Sequence, residues 1–223
     1  MYYPLFLELR TARCLVVGGG GVGLRKATSL LEAGARDVLV LDPQPDASAW
    51  EKVRHFSALR LEQRTFVPDD LPGCTLVFAC TPDRAVNADI ARQCADAGIL
   101  CNCADAPLEG NFIVPASARQ GDLTAAVSTG GGSPAWARVV REELELWLVP
   151  RAAMSTLMGR LRPHVLALEQ NTVQNTALFR TVAHSALPLA LQTGDTARCT
   201  ALLEQLLPEA LHPIIGELLY DLV

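Results

Sequence analysis

The sequence predicts an α/β fold, with a parallel, doubly wound sheet in the first half of the chain and a helical appendage after it. Three observations lead there. From Arg13 to about Ser128, short apolar runs alternate with amphipathic stretches. A cluster of glycines stands directly between the first apolar run and the first amphipathic stretch. From residue 151 onward no run has the composition of a strand.

Taken in order, CLVV (14–17), VLVL (38–41), LVFAC (76–80) and ILCNC (99–103) are apolar or nearly so at successive positions. Strands buried on both faces have that texture. Helical length and spacing fall at 21–34 and 84–97, and each stretch ends in Ala-Gly, where glycine can close a helix in the left-handed conformation. A less regular helix is expected over 44–60, with Pro45 near its start, followed by a strand at LEQRTFV (61–67). NFIVPA (111–116) and LTAAVST (123–129) predict two strands flanking SARQGD, read as a turn-rich spacer. SPAWARVVREELELWLV (133–149) predicts a helix with Ser133 as its cap and Pro134 at its first position. Beyond it, prolines at 163, 188, 208 and 213 punctuate short helices.

Composition narrows the function classes. Half of the 223 residues are hydrophobic and 19% are charged, enough apolar material for a buried core. A net charge of −5 argues against a general nucleic-acid binder. No apolar run reaches the roughly 18–20 residues of a membrane span, so no membrane contact is expected. The start, MYYPLFLELRTARC, has no basic leader, which fits a cytoplasmic protein. The seven cysteines are odd in number and lack metal-finger spacing, so they read as reduced core residues. His55, His164, His184 and His212 show no metal spacing either, and no fixed metal site is expected.

Gly18, Gly20 and Gly23 form G-x-G-x-x-G after a strand and before a helix, the dinucleotide fingerprint of a Rossmann-like sheet. In that setting Gly18 makes the tight turn, Gly20 admits a pyrophosphate and Gly23 lets the helix pack closely on the strand. The helix starting near Gly21 and Val22 would turn its free amides toward the phosphates. Asp42, at the end of the next strand, is placed for the adenine ribose hydroxyls, though Asp-Pro is also a common turn opener. No arginine follows Asp42 closely, which leans the cofactor toward NAD rather than NADP. Thr81 and Asn102, at strand ends, are candidates to face the nicotinamide, with local turn bonding as the competing use.

Four blocks narrow the reading further: YPLFLELRTARCLVVGGGGVGLRKA (3–27), ACTPDRAVNADIA (79–91), CNCADAPLEGNFIVPA (101–116) and AVSTGGGSPAWARVVREELE (126–145). Together they resemble the precorrin-2 dehydrogenase/sirohydrochlorin ferrochelatase family, the siroheme-synthase module. The resemblance implies an NAD-binding Rossmann domain (1–110), a dimerisation segment (111–148) and a small all-helical C-terminal domain (149–223). It implies a homodimer that oxidises precorrin-2 to sirohydrochlorin with NAD, and in some members inserts Fe²⁺ (or Co²⁺) into the product. No methyltransferase region follows Val223, which fits a stand-alone form of the module. Asp105 matches the family's essential aspartate, and Ser128 a serine near the tetrapyrrole. A tetrapyrrole substrate with eight carboxylates also calls for cations, with Arg25, Lys26, Arg119 and Arg138 as candidates. Two other readings stay open: a dehydrogenase of another small substrate, and an NAD-binding sensor or tetrapyrrole carrier without turnover.

Overall fold

Strands that are apolar on both faces have to be covered on both sides, and helices of matching pattern supply the cover. The computed structural model describes residues 2–168 and 171–223. Two compact units divide the chain, Met1–Val114 and Pro115–Val223. In the first, five parallel strands β1 (Arg13–Val17), β2 (Asp37–Leu41), β3 (Leu59–Glu62), β4 (Leu76–Ala79) and β5 (Leu100–Cys103) lie in the order β3-β2-β1-β4-β5.

Alternate residues of each strand point to opposite faces. Val16, Val40 and Phe78 pack with Leu24, Ala27 and Leu30 of α1 (Gly21–Glu32), and Trp50 of the short α2 (Ala47–Glu51) joins them. Leu15, Val17, Leu39 and Val77 pack on the other face with Ile90, Ala91 and Cys94 of α3 (Arg84–Asp96). Both long helices close as their Ala-Gly ends predict. Gly34 (φ +92°) and Gly98 (φ +69°) are left-handed, and the next amides, Ala35 and Ile99, return to the carbonyls of Leu30 and Cys94. Because α1 and α3 cover opposite faces, the strand order reverses between β1 and β4, where open sheets of this class leave a crevice at their carboxyl ends.

Three local expectations need correction. The helix expected over 44–60 is only Ala47–Glu51, started by Asp46, whose side chain accepts from the Ser48 and Ala49 amides. The strand expected at 61–67 is Leu59–Glu62, because β2 recruits it in register from Val38↔Leu59 to Leu41↔Glu62. The first hairpin strand is β6 (Ala116–Gln120), which occupies most of the supposed spacer, and it pairs with β7 (Leu123–Val127). Pro115 has no N–H for a ladder, and Gly121 at φ +56° makes a two-residue turn with Asp122, so pairing begins after the proline and reverses at the glycine.

The hairpin lies against α4 (Pro134–Leu148), whose cap is Ser133, accepting from the Trp136 amide. After it come α5 (Ala152–Leu166), α6 (Thr172–Ala183), α7 (Leu187–Gln192), α8 (Thr196–Leu206) and α9 (Ile215–Leu219). Leu157, Leu161, Val182, Leu187, Leu203 and Leu218 form their shared core. All seven cysteines are unbridged, and six are buried. Among the described residues no helix is long and apolar enough to cross a membrane.

One ion pair in the first unit carries a pH dependence. Arg64 grips Asp70 with both terminal nitrogens, at 2.8 and 2.7 Å, and the Val67 amide adds a third bond at 2.9 Å. Asp70 is 6% exposed, and the Arg64 guanidinium holds its carboxyl below the usual carboxylate range. A depressed folded pKa stabilises the fold above the unfolded value of about 3.9 and loses that contribution as pH falls through the folded value. Asp70→Asn is therefore expected to cost about 1–3 kcal/mol at neutral pH and to flatten the loss of stability in acid. Urea unfolding at neutral and acid pH measures both effects, and an unchanged acid limb contradicts the assignment.

Candidate active site

The loop that leaves β1 is shaped by main chain alone. Gly18 sits at φ +107°, and a Cβ there would lie 2.5 Å from the Cys80 carbonyl oxygen and 2.9 Å from the Thr81 nitrogen. The loops after β1 and β4 thus touch backbone to backbone at the reversal of strand order. A Cβ on Gly23 would lie 1.8 Å from the Gly18 carbonyl oxygen, so α1 can start over β1 only if that position is glycine. Gly19 is held by Asp42, whose Oδ2 accepts from the Gly19 amide at 2.5 Å while Oδ1 accepts from the Gln44 amide at 2.7 Å. A Cβ on Gly19 would meet the Asp42 Cβ at 2.9 Å.

Gly20 and Gly21 are different. A Cβ at either would meet nothing within 4 Å, and Gly20 has φ −73° and ψ 179°, a conformation open to any residue. Neither packing nor backbone strain asks for glycine at Gly20. Both glycines and Val22 are exposed at the start of a twelve-residue helix that has no side-chain cap. Uncapped amides, the positive end of the helix dipole and room for close approach fit a diphosphate.

From Gly18 the contacts run on to an acid. Thr81 donates its amide (3.0 Å) and its hydroxyl (2.7 Å) to Asn87 Oδ1 on α3. Asn87 Nδ2 donates to the Thr81 carbonyl and to Asp105 Oδ1, each at 3.0 Å. Asp105 lies two residues past β5, exposed, beyond the carboxyl end of the sheet. Two thiols lie within its electrostatic reach. Burial pushes Cys80 up to about 11 and raises Cys103 as well, and the Asp105 charge adds to both shifts, so both stay protonated at neutral pH. Asp105 is an exposed carboxylate at this edge, a group of the type that can accept a proton from a bound molecule. Lys26 is half-buried with its Nζ 5.7 Å from the centre of the Phe78 ring, and burial lowers its pKa.

Sequence comparison identifies the lineage. A family model described as "Putative NAD(P)-binding" matches residues 5–116, just over half of the chain, and one described as "Sirohaem biosynthesis protein central" matches 120–145. The siroheme synthase of Nitrosomonas eutropha is 42% identical over 166 residues, covering 74% of this chain and 34% of that protein. The siroheme synthase of Azotobacter vinelandii is 34% identical over 217 residues, covering 97% of this chain and 46% of that protein. The chain belongs to the siroheme-synthase family. It spans less than half the length of those two curated relatives. A solved structure, "SirC, precorrin-2 dehydrogenase", has the same fold, with a TM-score of 0.69 and 24% identity over 92% of this chain and 98% of that one.

Within this siroheme-synthase fold, Gly18, Gly20, Gly21, Val22, Gly23, Asp42, Thr81 and Asp105 all lie along the carboxyl edge of one sheet. Asn102 is 7% exposed, and its amide donates to the Phe112 carbonyl at 3.1 Å, anchoring the segment that passes β5. Arg119, Ser128 and Arg138 belong to the second unit. Arg119 donates to Thr124 Oγ1 at 3.3 Å, Ser128 Oγ accepts from the Gly130 amide at 3.1 Å, and Arg138 pairs with Glu142 at 3.1 Å. Among the described residues no group of three or more His, Cys, Asp and Glu side chains is placed to hold a metal ion. Asn87, which ties Thr81 to Asp105, was not singled out by sequence reasoning. Its signal was present only as the Val-Asn of the second block.

The glycines separate by experiment. Gly23→Ala is expected to destabilise the fold by about 3 kcal/mol through overpacking. Gly20→Ala should unfold within about 1 kcal/mol of wild type yet lose about tenfold or more in NAD affinity. Thermal melts and NAD titration of both variants test this, and a Gly20→Ala protein that binds NAD normally contradicts the phosphate placement.

Proposed function

We propose that this chain oxidises precorrin-2 to sirohydrochlorin, with NAD as the hydride acceptor. The observation that carries the reading is the unbroken path from the bare glycine loop, through Thr81 and Asn87, to the Asp105 carboxylate at one sheet margin. Membership in the siroheme-synthase family supplies the substrate class.

The oxidation removes two electrons and two protons' worth of hydrogen from the macrocycle: one hydrogen leaves as hydride and the other as a proton. Bound NAD supplies the hydride acceptor. The protein's part is to seat the diphosphate on the amides of Gly20, Gly21 and Val22, and to take the proton on Asp105. Asp42, a carboxylate at the end of β2, favours ribose hydroxyls over a 2′-phosphate, which supports NAD rather than NADP. Thr81 borders the same loop and Asn102 supports the edge beside it. Arg119, Ser128 and Arg138 are the proposed substrate contacts of the second unit, matched to a polycarboxylate. Insertion of Fe²⁺ or Co²⁺ as substrate draws on the same carboxylate to collect pyrrole N–H protons. A cytoplasmic location goes with seven unbridged cysteines.

The hairpin and α4 support a homodimer. Besides the hairpin packed on it, α4 buries only Ala137 and Leu148 of its own residues, while Trp136, Leu146 and Trp147 are 58%, 77% and 52% exposed. A second copy of the chain is the proposed cover. Light scattering at micromolar concentration should give twice the chain mass, and a single-chain mass contradicts the dimer.

For the reaction, Asp105→Ala should keep NAD affinity within about threefold while sirohydrochlorin formation falls by about 10²-fold or more. An anaerobic assay with NAD and precorrin-2, with and without Fe²⁺, reads both steps. Wild-type protein that gives no sirohydrochlorin spectrum overturns the function.

A further inference from the structure

Asn87 is 1% exposed on α3, and all four hydrogen-bonding positions of its amide are used. The orientation of that amide is fixed by its partners. The Thr81 N–H can only donate and the Thr81 carbonyl can only accept, so Oδ1 must face the first and Nδ2 the second. The remaining Nδ2 proton then points to Asp105 Oδ1. The backbone that carries Asn87 is held too. The Cys103 thiol donates to the Asn87 carbonyl at 3.4 Å, and Asp83 caps the helix through the Ala85 and Val86 amides.

Asp105, by contrast, is exposed and sits on a bend with no helix or strand to hold it. A carboxylate so placed samples several rotamers unless a rigid neighbour selects one. The buried amide is that neighbour, and through Thr81 it fixes the acid relative to the Gly18 turn.

We propose that Asn87 is the positioning residue of the oxidation read above, an inference that rests on that reading. It occupies Asp105 Oδ1, aims the carboxylate, and leaves Oδ2 to receive the proton of the macrocycle. A neutral amide does this without setting a full positive charge against the base.

Asn87→Asp is the informative variant. It keeps an oxygen for the Thr81 amide and hydroxyl but replaces the nitrogen that donates to both the Thr81 carbonyl and Asp105. Its kcat with NAD and precorrin-2 should fall at least about tenfold, with KM for NAD within about threefold of wild type. A variant that loses stability but keeps kcat shows that Asn87 only cements the turn, and overturns the proposal. A second measurement covers a variant that fails to fold and needs no turnover. In the two-dimensional ¹H–¹⁵N spectrum, one Asn87 side-chain amide proton should move when the exposed Asp105 is changed to Ala, while the Thr81 amide stays in place. An unmoved peak in protein that makes sirohydrochlorin overturns the role of Asn87 alone. A moved peak in wild-type protein that makes none overturns the reaction, and the positioning role with it.

Discussion

The carboxyl edge of the sheet depends on a meeting of bare main chain. Gly18, Gly23 and Cys80 approach so closely that a single Cβ on either glycine would overlap a carbonyl oxygen, at 2.5 Å from Cys80 or 1.8 Å from Gly18. That approach lets α1 begin directly over β1, which leaves its first amides uncapped at the surface. It also presses the loop after β4 against the glycine turn, so Thr81 lies beside the turn and not away from it. Asn87 reads the position of Thr81, and Asp105 reads the position of Asn87. One steric constraint in the backbone is thereby passed to a carboxylate far along the chain.

Burial sets the charge of the two thiols nearest Asp105. The thiols of Cys80 and Cys103 are raised by desolvation, so they add no negative charge beside the acid at neutral pH. Lys26 lies with its Nζ 5.7 Å from the centre of the Phe78 ring. The second unit shows a different economy. Its helices α5–α9 enclose an apolar core of their own, whereas α4 leaves large apolar side chains at the surface.

How much of this was legible depended on how local the cause was. The strands β1, β2, β4 and β5 could be read because burial on both faces leaves runs of apolar residues, and the caps at Gly34, Gly98 and Ser133 because each is decided within a few residues. The stretch 44–60 resisted because β2 claims residues 59–62 across space, and no helical pattern can foresee that. The hairpin slipped because the apolar NFIVPA outweighed two quieter signals, the missing amide of Pro115 and the turn at Gly121. At the site, the glycine spacing and Asp105 were visible in the chain. Asn87 was hidden because an asparagine on a helix looks alike whether it faces solvent or spans eighteen residues to an acid.

The bonds Asp42 makes within the loop bear on the coenzyme preference proposed above. The side chain proposed to meet the adenine ribose is the acceptor for the Gly19 and Gln44 amides. Recasting this protein for a phosphorylated dinucleotide is therefore not a matter of swapping charge. Whatever replaces the aspartate has first to rebuild the bend it stitches, so selectivity and loop geometry can only evolve together.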